Sequence, residues 1–176
     1  MFKNFIGRTS GLVRSSMINN NNSYITKRTF ASEGAAVNAD DLLSFSFMVP
    51  HQILFKNKKV QMLTLPGARG VFGVLKNHIP KIAELKPGVV QVHHESGDVD
   101  KYFISGGFAF INPDASCYIN AVEAVPVDQL DANEVKNGLA RYTQLYNEAS
   151  DEAAKATALI GLEAHQQMAY ACGVSL

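Results

Sequence analysis

Between residues 42 and 127 the apolar residues come in short runs separated by turn-forming residues, with no helical period between them. Alternation around Phe45 and Phe47 is typical of a strand with one buried face. Further runs follow, each bounded by glycine, proline, asparagine or aspartate: VQMLTL, VVQVHH, KYFISGGFAFI and CYINAVEAV. Six or more short strands at this spacing predict an antiparallel β-sandwich or barrel over residues 42–127.

The hydrophobic period changes at Asp128, where a helical pattern begins. Asp131 is placed to cap a helix, and Glu134 to bond back to it, as in a reciprocal capping arrangement. Four large residues then recur at steps of four, three and four, as on one helix face: Val135, Leu139, Tyr142 and Tyr146.

A second helix start is indicated at Ser150, followed by the acidic residues Asp151 and Glu152. The segment 153–171 is rich in alanine, which allows two helix backbones to approach closely, and Gly173 is placed to end it. Residues 128–176 therefore predict a two-helix hairpin. A hairpin of this size must rest on another element, so the expected fold is α+β, an N-terminal antiparallel sandwich followed by the hairpin.

Residues 1–30 do not fit either unit. They are basic, free of acidic residues and amphipathic at roughly helical spacing, which is the composition of a mitochondrial transit peptide. A basic tail without a targeting role remains the alternative. The segment KRTFAS, with Arg28 three residues before Ala31, resembles a mitochondrial processing site and predicts cleavage before Ala31, with a linker over 31–41.

Removal of the leader makes the remaining chain acidic. All 16 acidic residues lie after it and 5 of the 16 Lys and Arg residues lie within it, which leaves 11 minus 16, a net charge of −5. Nucleic-acid binding favours the opposite sign. No apolar run reaches the roughly 18 residues that a spanning helix needs, so the mature protein is expected to be soluble or peripheral. The cysteines Cys117 and Cys172 predict neither a disulfide framework nor a zinc site.

Glycine and proline are concentrated in residues 65–88, LPGARGVFGVLKNHIPKIAELKPG, which show no clear strand or helix period. Gly67, Gly70 and Gly73 give a G-x-x-G-x-x-G spacing that matches neither the dinucleotide fingerprint nor a phosphate loop. No helix start is predicted nearby to hold an anion. A phosphate site is therefore not expected.

Candidate catalytic and metal-binding residues give no constellation. His93 and His94 are adjacent on a predicted strand and point to opposite faces, and Ser105 lacks the preceding glycine of a nucleophile elbow. Asp98 and Asp100 beside a glycine turn indicate solvated hairpin charges. We predict no catalytic residue, no metal site and no cofactor.

Five short segments carry a family resemblance through their order and intervals: LPG at 65–67, GVFG at 70–73, NHIP at 77–80, LKPG at 85–88 and SGGF at 105–108. Together with the two helices that follow, the chain resembles the central-stalk subunit of F-type ATP synthases, called delta in mitochondria and epsilon in bacteria and chloroplasts. The resemblance covers about residues 42–127 by motif and the hairpin by position.

The resemblance implies a non-catalytic rotor subunit on the matrix side of the mitochondrial inner membrane. Such a subunit couples the membrane rotor ring of c subunits to the gamma subunit and catalytic head, beside the small mitochondrial epsilon subunit. The residues carried over to the ring-facing loops are Arg69, Val71, Asn77 and His78. Stiff turns suit torque transmission, and the residues assigned to them are Pro66, Gly67, Gly70, Gly73, Pro80, Pro87, Gly88, Gly106 and Gly107.

Two features depart from the bacterial pattern. Lys76 and Asn77 replace a Pro-Gly pair before His78, and Asn77 can accept the left-handed backbone that glycine would supply. The arginine-bearing ATP motif of some bacterial members is missing, since the helices offer only Arg141. ATP binding is therefore not carried over. The alternatives are a small matrix β-sandwich enzyme or ligand carrier with a helical lid, and a general adaptor domain.

Overall fold

The computed structural model describes residues 41–174. The predicted transit peptide and all of the linker except Asp41 lie outside these residues. Ten strands and two α-helices follow in order: β1 Leu43–Val49, β2 Gln52–Val60, β3 Met62–Gly67, β4 Gly70–Val74, β5 Lys81–Leu85, β6 Gly88–His93, β7 Val99–Ile104, β8 Gly107–Ile111, β9 Ser116–Ala121, β10 Ala124–Pro126, α1 Ala132–Glu148 and α2 Glu152–Ala171. A short 3₁₀ helix, Val127–Gln129, joins the sheet to the helices.

The strands form one sheet that folds over on itself. Their order is β10-β7-β6-β3-β5-β8-β9-β1-β2, with β4 bonded to β3, and only β1 and β9 run parallel. Tyr102 in β7 lies edge-to-face against Phe47 in β1 and Phe55 in β2, with 5.7 Å between ring centroids in both pairs. These strands are near opposite ends of the order, so the two halves face each other. The predicted β-sandwich with a C-terminal helical pair is confirmed.

The core lies between the two halves. In β1 the alternating side chains of Leu43, Phe45, Phe47 and Val49 are buried, as the period of two predicts. Residues from most of the other strands complete the same cluster: Val60, Leu63, Leu65, Val74, Ala83, Leu85, Val90, Val92, Ile104, Ala109, Ile111, Cys117, Ile119 and Ala121.

Three strands were missed by the sequence analysis. Strand β2 carries Lys56, Lys58 and Lys59 on exposed positions, and a polar run of this kind conceals its strand period. Strands β4 and β5 lie inside the glycine- and proline-rich segment, where glycine supplies no side chain from which to read alternation. Hydrogen bonding to β3 and β8 determines these strands instead.

The predicted turn residues of this segment occupy two kinds of position. Gly67 and Gly70 close the β3–β4 hairpin as a register pair, and Pro80, Pro87 and Gly106 lie in connections between strands. Pro66 and Gly73, in contrast, lie within β3 and β4, so their assignment to turns is corrected. The other two predicted turn residues begin strands, Gly88 in β6 and Gly107 in β8.

The bend between β7 and β8 depends on glycine. Gly106 and Gly107 have positive φ angles of 149° and 156°. A Cβ atom on Gly107 would lie 2.8 Å from Ala121 Cα and still closer to the carbonyl oxygen of Asn120. Strand β8 can therefore pair with β9 only if residue 107 has no side chain.

Both helices of the hairpin begin at an aspartate that caps the N-terminus. Asp131 Oδ1 accepts hydrogen bonds from the backbone N–H groups of Asn133 and Glu134, at 2.8 and 3.4 Å. The side chain of Glu134 accepts from Asn137 instead of closing the reciprocal arrangement that we predicted. Asp151, one residue after the predicted start, caps α2 by accepting from Ala154 N–H at 2.7 Å.

The end of α2 is a glycine cap. Gly173 has a φ of 67°, and the N–H groups of Gly173 and Val174 donate to the carbonyl groups of Tyr170 and Ala169. Helix α2 contacts β6. The adjacent β7 residues Phe103 and Ile104 are both buried, so the C-terminal end of β7 is covered on both faces.

Asp114 stabilises the β8–β9 turn. Its Oδ1 accepts hydrogen bonds from Ser116 Oγ at 2.6 Å and from Ser116 N–H at 3.1 Å, next to Ala115 with a φ of 58°. The bond from the Ser116 side chain is the main cause that lowers the pKa of Asp114 below its ordinary value of 3.8.

This pKa predicts an acid-sensitive turn. A carboxyl group whose folded pKa is depressed contributes stability above its unfolded pKa and loses it as the pH falls through the folded pKa. The stability difference between the natural protein and Asp114→Asn should therefore shrink as the pH falls below the ordinary carboxyl pKa of 3.8. Urea unfolding at several pH values measures this difference. Ser116→Ala should show the same trend, and a difference that does not change with pH would contradict it.

Candidate functional site

The two adjacent histidines considered for catalysis are used in structural contacts. His94 Nε2 lies 2.7 Å from Asp100 Oδ2, so Asp100 pairs with a histidine instead of being a purely solvated charge. His93 Nε2 lies 3.2 Å from Thr64 Oγ1. Within residues 41–174 no three His, Cys, Asp or Glu side chains lie close enough together to hold a metal ion.

The two cysteines are free thiols. Cys117 is buried in the core, and burial raises its pKa to about 12, which keeps the thiol protonated at neutral pH. A protonated, enclosed thiol is a weak nucleophile. Cys117 therefore acts as a small apolar core residue.

The first exposed surface surrounds Phe72 in β4. The Lys81 ammonium lies 4.5 Å from the centroid of the Phe72 ring, and the His78 ring lies 6.3 Å from it. A groove of about 280 Å³ opens beside the ring, with Arg69 and Glu84 among its lining residues. Arg69, Lys81 and Glu84 around the Phe72 ring give the groove a lining of mixed charge, which is suited to contact with a partner.

The four residues predicted to face the ring are divided along β4. Arg69 is exposed in the β3–β4 turn, and Val71 in β4 is 72% exposed. Asn77 is exposed in the β4–β5 connection, beyond the other end of the strand. His78 is half-buried, with its Nδ1 atom 2.7 Å from the Ile79 carbonyl oxygen and its ring turned towards Phe72. The structure therefore does not bring Arg69 and Asn77 into one cluster.

A second surface, which the sequence analysis missed, lies on the outer side of the sheet. We call it the β5–β8 face, and it consists of Ile82, Phe108, Phe110 and Tyr118. Ile82 and Phe108 are 70% and 51% exposed. Phe110 lies opposite Ile82 on one side and opposite Tyr118 on the other, so the apolar side chains form a row across three strands.

A signal for this face is present in the sequence. In the segment GFAFI the alternating residues Ala109 and Ile111 are buried in the core, and the intervening residues Phe108 and Phe110 are also apolar. A strand that is apolar on both faces is typical of one that is covered on both faces. An apolar face of this kind, with Ile82 and Phe108 exposed, is suited to contact with another protein.

Comparison with known proteins defines the class. Residues 42–127 match the family model described as "ATP synthase, Delta/Epsilon chain, beta-sandwich domain". These residues are the sandwich up to the first residue of the 3₁₀ helix.

Relatives with similar sequences show which branch of the delta/epsilon family the chain resembles. The chain is 63% identical over 175 residues to the protein named "ATP synthase F(1) complex subunit delta, mitochondrial" of Dictyostelium discoideum, with 99% of each chain covered. It is 44% identical over 136 residues to the mitochondrial ATP synthase subunit delta of Pichia angusta, covering 77% of this chain and 82% of that one. The chain belongs to the delta/epsilon family of ATP synthase subunits, and within it to the mitochondrial delta subunits.

Solved structures agree. A chain of the cryo-EM structure of Euglena gracilis mitochondrial ATP synthase, which contains OSCP, F1 and the c-ring, superposes with a TM-score of 0.71 at 29% identity, covering 78% of this chain and 85% of that chain. A chain of the Tetrahymena thermophila mitochondrial ATP synthase shares the fold with a TM-score of 0.61 at 15% identity, covering 74% and 96%. The family resemblance seen in the sequence is confirmed.

Proposed function

We propose that this chain is a non-catalytic rotor subunit of the central stalk, coupling the membrane ring of c subunits to the gamma subunit and catalytic head. The 63% identity to a mitochondrial delta subunit over nearly the whole of both chains carries this proposal. The relatives described above are named as ATP synthase delta subunits, which favours this proposal over the alternative of an enzyme or ligand carrier. In residues 41–174 neither helix is long and apolar enough to cross a bilayer.

The proposal assigns partners to three surfaces. Arg69 and Val71 at one end of β4, and Asn77 and His78 beyond its other end, face the ring. The β5–β8 face contacts the gamma subunit, because an aromatic row of this kind supplies the buried anchors of a permanent interface. The hairpin of residues 128–176 contacts the small epsilon subunit. The sandwich of residues 42–127 is the coupling domain. The leader of residues 1–30 directs the protein to the matrix side of the inner membrane.

Isolation of the complex from mitochondria tests the assignment as a whole. A tag on this chain should recover the gamma subunit and the c-ring together with the catalytic subunits. Recovery of the tagged chain as a free monomer would contradict the proposal.

A double variant tests the ring contact. Arg69→Glu with Val71→Asp should lower the retention of the c-ring on the tagged complex roughly tenfold, because both side chains are exposed and a reversed charge disfavours the original partner. The thermal melt of the isolated protein should hardly change, since surface substitutions are nearly neutral for stability. Val99→Asp, at an exposed position in β7, is the matched control and should retain the ring. Equal retention in both variants would exclude this surface.

A further inference from the structure

Two glycines occupy reciprocal positions in the helical hairpin. A Cβ atom on Gly138 of α1 would collide with the ring of His165 in α2, and a Cβ atom on Gly161 of α2 would collide with the ring of Tyr142 in α1, 2.7 Å from its Cζ. In each helix, therefore, an aromatic ring of the other helix packs against a glycine; we call this glycine the seat of the ring.

The rings of Tyr142 and His165 also contact each other. The centroids of Tyr142 and His165 are 4.9 Å apart, with the ring planes inclined by 36°. His165 Nδ1 lies 2.8 Å from the carbonyl oxygen of Gly161, the same glycine that seats Tyr142. Each ring therefore contacts the other ring as well as the glycine of the opposite helix.

We propose that Gly138, Tyr142, Gly161 and His165 form a latch that holds α2 folded back on α1 in one register. Separating the two helices would remove both rings from these glycines. This conclusion depends only on contacts inside the chain and stands apart from the proposed rotor role.

The proposal can be tested by whether a glycine-to-alanine substitution in these helices raises or lowers the stability of the protein. Glycine is the poorest helix former after proline, so replacing a glycine by alanine in a helix interior ordinarily stabilises it. The latch predicts the opposite result at Gly161, because the added methyl group displaces Tyr142 and, through it, His165. The full-length chain is the molecule to test.

Gly161→Ala should lower the thermal unfolding midpoint by about 3 °C and speed hydrogen exchange of α2 amides about fivefold. In the Tyr142→Ala background the same substitution should instead raise the midpoint and slow exchange, because the seat is empty. Ala156→Gly, at an exposed position of α2, is the control and should lower the midpoint by propensity alone.

A rise in the midpoint for Gly161→Ala in both backgrounds would overturn the latch. If Tyr142→Ala prevents folding, Gly138→Ala provides the second measurement, since it acts on His165 from the other helix. It should also speed α2 exchange, and slower exchange would count against the latch.

Discussion

Gly107→Val should destabilise the protein by about 4 kcal/mol, the largest effect that we expect from a single substitution. The added side chain would meet the backbone of β9 at Asn120 and Ala121, and valine disfavours the positive φ of 156°. Backbone atoms cannot rotate away as a side-chain end can, so β8 and β9 must separate. Urea unfolding followed by circular dichroism measures the loss, which is a large part of the stability of a domain of this size.

Gly97→Val isolates the contribution of the collision. Gly97 also has a positive φ, 90°, but a Cβ atom there would meet nothing within 4 Å. Its replacement should cost only the conformational strain, about 1–2 kcal/mol. Equal losses for the two variants would mean that the approach of β9 to Gly107 is not what excludes a side chain.

Ile82→Asp combined with Phe108→Asp should weaken binding of the gamma subunit about 100-fold, if the β5–β8 face is the gamma-binding surface that we propose. Two carboxylates would replace apolar groups at the centre of the contact and would lose their hydration on binding. Because both residues are exposed in the isolated chain, its unfolding free energy should change little. Copurification of the tagged variant with the gamma subunit measures the effect.

The matched control for this variant is Ile53→Asp. Ile53 in β2 is 57% exposed, which is comparable to Ile82 and Phe108, but β2 is the third strand along the sheet from β8. It should leave gamma binding intact. Normal copurification of the Ile82 and Phe108 double variant would remove the β5–β8 face from the proposed interface while leaving the family assignment unchanged.

Hydrophobic periodicity predicted the strands and helices correctly where one face of the element is buried. Alternation around Phe45 and Phe47 predicted β1, and the helical stripe from Val135 to Tyr146 is the less exposed side of α1. The same reasoning missed β4 in the segment 65–88, because Gly70 and Gly73 interrupt its alternation. This strand forms through its pairing with β3.

The candidate surfaces were only partly accessible to sequence reasoning. The resemblance drew attention to Arg69, Val71, Asn77 and His78, and the structure separates Arg69 from Asn77 by the length of β4. The β5–β8 face was missed, although both faces of GFAFI are apolar, because alternation shows which residues share a face and not which face lies inside.

The order of residues alone thus determined the division into a strand region and a helical region, the cap at Asp131, and the family pattern, since each depends on neighbours along the chain. Only the tertiary structure decided that Phe108 faces outward, that Gly107 lies under β9, and that Gly138 and Gly161 seat rings from the opposite helix. Those properties depend on pairing register between distant segments, which local periodicity does not determine.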